Sequence, residues 1–233
     1  MEKQLIDFSN KLKEILKDNL KSFIVYGSAA TGEHYKDSDY NTLIILETID
    51  TSVMKSILKP VSKWMAGGNP PPLMFTKERL LKSKDVFPME FFDIKENHLV
   101  VFGEDLFSSM EIHRDNLRLE TEREVKTHII RLRQAYIAEA GKPDIISRLL
   151  CDSISSVSAI LKGVLRIHNE DCPKEKHSII EKAADKAGFN KEVLLSVLRA
   201  KEGKEPIKKE KIDSVFDSYA SEIEKIADAV DRI

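Results

Sequence analysis

The feature that most constrains the fold of this 233-residue chain is the point at which its strand-like runs stop. Up to about Met110, short apolar runs bounded by Gly, Pro or Asn alternate with stretches of helical spacing. Beyond it, long segments carry apolar residues at helical spacing alone. Alternation followed by uninterrupted helix predicts an α+β chain, with a mixed domain over 1–110 and an all-α helical bundle over 111–233.

Within the first part, Ile6, Leu12, Ile15 and Leu16 recur at helical spacing and predict an amphipathic helix. "SFIVYG" (22–27) is an apolar run ended by glycine, and "YNTLIIL" (40–46) is rich in β-branched residues; both predict strands. "DTSVMKSILKPVSKWM" predicts a helix capped by Thr51 or Ser52 and kinked at Pro60. "AGGNPPP" (66–72) fits neither element and is a loop. "PLMF" predicts a strand, and "TKERLLKS" a short helix capped by Thr76. "PMEFFDI" and "HLVVFG" predict two further strands joined by a turn at "KEN". In the second part, Asn190 is a good helix cap, and "KEGKEPIKKEK" is a charged connector.

Composition narrows the class. With 42% hydrophobic and 33% charged residues the chain is a globular protein, and a net charge of −2 argues against gripping nucleic acid by a basic surface. No apolar run approaches the roughly 20 residues that span a bilayer. The opening "MEKQLIDFSNKLKEIL" alternates charged and apolar residues, unlike a secretory signal. The two cysteines lack CxxC spacing, so a cytoplasmic setting is expected. Arg118, Arg123, Lys126, Arg131 and Arg133 interleave with Glu120, Glu122 and Glu124, the pattern of a solvated helix face with i,i+4 pairs.

The chemistry concentrates in "GSAATGEHYKDSDYN" (27–41). Glycine where a strand ends lets a phosphate approach the backbone, and the Ser28 hydroxyl with neighbouring N–H groups can donate to its oxygens. Strand side chains alternate, so Asp39 and Asn41 share a face, opposite Tyr40 and Thr42. Two oxygen donors side by side at a strand start suit a hard cation such as Mg²⁺. Such a cation bridges nucleotide phosphates and neutralises charge during phosphoryl transfer.

These residues resemble the nucleotidyltransferase superfamily, which includes DNA polymerase β and the aminoglycoside nucleotidyltransferases. That family's pattern is a hydrophobic residue, Gly-Ser, a loop, then Asp-x-Asp or Asp-x-Glu on the next strand, and a third carboxylate on a later strand. Tyr26, Gly27 and Ser28 match the first element; Gly32, Ser38 and Asp39 match the loop and the first metal ligand. The third carboxylate falls at Glu90 or Asp93, with Glu90 favoured because Asp93 would lie on the opposite face of the same strand. The resemblance covers about the first hundred residues, and the helical second part is similar to the bundle that follows this domain in aminoglycoside adenylyltransferases. It implies a mixed, twisted sheet flanked by helices. It also implies Mg²⁺-dependent transfer of a nucleoside monophosphate from a nucleoside triphosphate, ATP first among them, to a hydroxyl acceptor with pyrophosphate release. The acceptor is a small molecule in preference to nucleic acid, no membrane is involved, and a homodimer stays open. Asp39, Asn41 and Glu90 would hold the metal, Asp39, Glu90 and Asp93 would carry the chemistry, and Gly27, Ser28 and Ser38 would bind the nucleotide.

Asn41 departs from the pattern, because it stands where a second carboxylate is expected. An amide keeps one neutral oxygen but loses a charge that would gain several kcal/mol beside a divalent ion, even at an effective dielectric of about 20. The alternative to an enzyme is therefore a catalytically inactive nucleotide-binding protein that regulates or binds a partner.

Overall fold

The computed structural model describes residues 3–30 and 39–233. Gly32 and Ser38, both assigned to the phosphate-side loop, lie outside the described residues. The chain divides into two compact units, Met1–His113 and Arg114–Ile233.

The first unit is built on a four-stranded sheet in the order β3-β2-β1-β4. Strand β1 (Leu20–Tyr26) lies antiparallel between β2 (Asn41–Leu46) and β4 (His98–Gly103), and β3 (Leu73–Thr76) runs parallel to β2. The sheet is mixed, as the resemblance implies. Alternation along the central strands sorts their side chains into two cores. Phe23, Val25, Ile44 and Leu46 pack on one face with helices α1 (Lys3–Leu16) and α2 (Thr51–Ala66) through Leu5, Phe8, Leu12, Leu16, Ile57 and Trp64. Ile24, Leu43 and Ile45 pack on the other with α3 (Lys77–Lys82), α4 (Pro88–Glu96) and the segment Leu106–Met110. Each fully buried Leu, Ile or Phe contributes about 1.5–3 kcal/mol, so two filled faces fix the register of both inner strands. In the first core the Phe8 and Trp64 rings stack 4.4 Å apart.

Several local expectations need correction. Helix α1 packs Leu12, Ile15 and Leu16 on the core as read on sequence, together with Leu5 and Phe8, but leaves Ile6 exposed. Helix α2 is capped by Asp50 and not by Thr51 or Ser52: the Asp50 carboxylate accepts from the Val53 N–H at 2.8 Å and from the Ser52 hydroxyl at 2.7 Å. Two acceptable caps stood next to a third, and a carboxylate at the positive helix end is favoured.

The larger correction is "PMEFFDI", which forms helix α4 instead of a strand. Pro88 occupies the first turn, where a missing N–H costs nothing, and Glu90 lies in the same turn. Phe91 and Ile94, three apart, form the buried face. Phe91 meets Phe75 and Phe107 edge-on, with centroids 6.1 and 5.8 Å apart. "KEN" is accordingly no hairpin turn; it is the end of α4 and its cap at Asn97.

The second unit is helical throughout: α5 (Arg114–Ala138), α6 (Pro143–Ile167), α7 (Lys176–Ala187), α8 (Lys191–Lys201) and α9 (Ile212–Asp231). Helix α6 is its centre, buried along its length from Ile146 to Ile167. A Cβ at Gly163 would fall 2.5 Å from the Thr121 hydroxyl, so glycine there permits the close crossing of α5 and α6. Ser153 and Tyr219 share a buried hydrogen bond of 2.8 Å between α6 and α9. The mixed-charge run on α5 forms the expected i,i+4 pairs, Glu122 with Arg118 at 2.9 Å and with Lys126 at 2.6 Å, but it is not solvated throughout, since Glu120 is buried. Among the described residues no helix is long and apolar enough to cross a membrane.

Candidate active site

The Gly-Ser corner is a tight turn. Strand β1 ends at Tyr26, and Gly27–Ala29 close a single 3₁₀ turn in which the Ala30 N–H donates to the Gly27 carbonyl at 3.0 Å. Gly27 has φ +78°, a left-handed conformation that an L side chain adopts at a cost. Its own N–H is already committed, donating to the Asn97 carbonyl at 2.9 Å. Asn97 in turn caps α4, its N–H donating to the Asp93 and Ile94 carbonyls. The corner is therefore pinned to the C-terminal end of the helix that carries Glu90 and Asp93.

Strand register supplies the next neighbours. Tyr26 pairs with Asn41 on one side and His98 on the other, so three polar side chains stand in a row across the sheet. Tyr26 packs against the core under α4, which places the row on the α4 face. A Cβ built on Gly27 would lie 3.7 Å from the Asn41 side-chain nitrogen, so the Asn41 amide lies beside the glycine. Asp39, one residue before Tyr40, is exposed. Burial pushes the Tyr26 phenol above its ordinary pKa, and the Asp39 carboxylate nearby adds to the shift.

Gly27, Ser28, Asn41 and Asp39 thus gather at one end of β1 and β2. Glu90 and Asp93 do not lie on a strand, and the reason for preferring one over the other falls away. On a helix these residues are i and i+3, which puts them on neighbouring positions of the same side instead of opposite faces. Glu90 is exposed and Asp93 half-buried. Among the described residues no three His, Cys, Asp or Glu side chains are grouped so as to hold a metal ion.

Two residues of this end escaped the sequence. His98 stands beside Tyr26; its ring nitrogens lie 3.2 Å from the Lys95 carbonyl and 3.0 Å from Asp105. Asn69, in the "AGGNPPP" loop, is buried, and its side-chain oxygen accepts from the Tyr40 N–H at 2.9 Å.

Compared with known proteins, the sequence matches no family profile and no curated protein. Among solved structures, the chain is similar to spectinomycin adenyltransferase AAD(9) from Enterococcus faecialis, solved with ATP and spectinomycin. The TM-score is 0.54 at 12% identity, over 96% of this chain and 100% of that one. The chain shares the fold of that structure, a mixed sheet flanked by helices followed by a helical unit. At that identity the likeness speaks for architecture alone.

Proposed function

We propose that the protein transfers a nucleoside monophosphate from a nucleoside triphosphate, with ATP the leading candidate, to a hydroxyl group of a small molecule, releasing pyrophosphate. One observation carries this reading: the left-handed Gly27-Ser28 corner, the Asn41 amide and the Asp39 carboxylate converge at one end of the β1–β2 pair. The similarity to a protein solved with ATP and spectinomycin supports the same substrate classes.

The chemistry of the donor set decides how Mg²⁺ would be held. One carboxylate and one amide oxygen cannot form an all-protein cage, but Mg²⁺ is commonly held by one or two carboxylates together with substrate phosphates. The donor set suits an ion that would arrive with the nucleotide, held by Asp39 and Asn41, with Glu90 or Asp93 on α4 as the third ligand. When bound, it would neutralise negative charge developing on the phosphates. The Ser28 hydroxyl and the backbone of the turn orient the β and γ phosphates, since the Gly27 N–H is spent on Asn97. The acceptor oxygen bonds to the α-phosphorus as the bond from that phosphorus to the bridging oxygen breaks. The acceptor's proton passes to a carboxylate at the site, and Glu90 or Asp93 on α4 supplies it.

A second reading, a nucleotide-binding protein without turnover, is favoured by one observation, the neutral amide at Asn41. The two readings separate in one experiment. Purified protein is titrated with ATP, GTP, CTP and UTP, with and without Mg²⁺, and pyrophosphate is followed over a panel of hydroxyl-bearing small molecules that includes spectinomycin. Mg²⁺-dependent binding with pyrophosphate release supports the enzyme; binding without release for every acceptor supports the second reading; no nucleotide binding removes both.

A further inference from the structure

The sheet fails at the place where the candidate site begins, and one side chain takes over from it. The parallel ladder between β2 and β3 starts at Leu43 and Leu73. It does not extend back towards Tyr40: the three residues before Leu73 are Pro70, Pro71 and Pro72, which can accept but cannot donate to β2. The Tyr40 N–H instead donates to the side-chain oxygen of Asn69 at 2.9 Å. The same amide's nitrogen donates to the Trp64 carbonyl, near the end of α2, at 3.3 Å.

This clasp is rigid at its far end. The Trp64 indole N–H donates to the Pro70 carbonyl at 2.9 Å, and its ring stacks on Phe8. The Tyr40 ring lies 6.0 Å from that of Trp64. Asn69, Trp64 and Tyr40 are all buried, with exposures of 7%, 2% and 6%. A buried amide with both ends bonded holds its partners to a single geometry, since any displacement leaves polar groups unpaired.

Tyr40 is the residue between Asp39 and Asn41. We propose that Asn69 is a positioning residue for the metal–nucleotide site: by accepting from the Tyr40 N–H with a buried side chain, it fixes the backbone from which the Asp39 and Asn41 oxygens project. This rests on the reading of Asp39 and Asn41 as ligands of a Mg²⁺–nucleotide. Outer residues that orient metal ligands typically change metal affinity by about 10–100-fold when removed.

The test uses the full chain, with ATP titrated calorimetrically in the presence of Mg²⁺ and again in EDTA. The ratio of the two dissociation constants isolates what the metal contributes. Hydrogen exchange at the Tyr40 amide gives a readout that needs no ligand. Asn69→Ala should bring rapid exchange at Tyr40 and reduce the ratio by about tenfold or more, while ATP binding in EDTA stays within about twofold. Ile57→Val, a buried change in the same core, should lower the melting temperature while leaving the ratio and the Tyr40 exchange unchanged. Should Asn69→Ala not fold, Asn69→Gln keeps the amide but displaces it, and should reduce the ratio in the same direction. A ratio unchanged in the folded variant, or a Tyr40 amide that stays protected, overturns the positioning role. Wild-type protein that binds ATP equally with and without Mg²⁺ overturns the metal-site reading itself, and the role of Asn69 with it.

Discussion

Replacing Gly27 by alanine separates backbone strain from phosphate recognition. A methyl group at Gly27 would sit 3.7 Å from the Asn41 side-chain nitrogen, ordinary van der Waals contact, so space is not the obstacle. The obstacle is φ +78°, where an L residue costs about 1–2 kcal/mol. In a unit of roughly 100 residues each kcal/mol lowers the melting temperature by about 4–8 °C, so the variant should fold and melt measurably earlier. Binding should suffer more. The methyl occupies the surface that a phosphate must approach, and losing one charge-assisted hydrogen bond, worth about 1.5–3 kcal/mol, weakens ATP by about 10–100-fold. Gly188, which ends α7 at φ +72° with nothing within 4 Å of the place a methyl would take, is the matched control. Gly188→Ala should impose similar strain and leave ATP binding intact. Scanning calorimetry and ATP titration of both variants read the two effects. Equal ATP affinity in Gly27→Ala and Gly188→Ala would refute the claim that a phosphate lodges against the glycine corner.

Two further outcomes follow from the same geometry. Asp39→Asn should move the Tyr26 phenol down in a spectroscopic pH titration, but not to its ordinary value of 10.0, because burial is the larger cause of its elevation; an unmoved titration would mean that Asp39 does not face Tyr26. Glu90→Gln, at an exposed position in the first turn of α4, should lower the melting temperature by no more than about 4 °C and lower pyrophosphate release, whereas unchanged turnover would remove Glu90 from the chemistry and leave Asp93 as the α4 carboxylate.

The sequence exposes the frame of this site better than its supports. The β1 and β2 segments stand out because apolar, β-branched runs meet a Gly-Ser turn, and Thr76 and Asn190 cap their helices as their hydroxyl and amide chemistry suggests. "PMEFFDI" misleads because Met89, Glu90 and Phe91 mimic strand alternation before it breaks at Phe92. The buried residues are Pro88, Phe91 and Ile94, a helical spacing that Pro88 in the first turn could have signalled. The Asn69 clasp leaves no local trace, since its partner Tyr40 lies 29 residues earlier and the bond exists only after α2 has folded back. The pairing of Tyr26 with His98 is equally remote, set by the β1–β4 register.

The most direct test of the central claim is Asn41→Asp, with ATP binding titrated against Mg²⁺ in the variant and the wild type. A unit charge 4 Å from another gains about 4 kcal/mol at an effective dielectric of about 20. Repulsion from Asp39 and the cost of desolvation offset much of this. The net result should still be Mg²⁺-dependent ATP binding at least about tenfold tighter, some 1.4 kcal/mol, with ATP binding in EDTA weaker than in the wild type. An Asn41→Asp protein whose Mg²⁺ dependence matches that of the wild type would contradict the account, because position 41 would then face no metal.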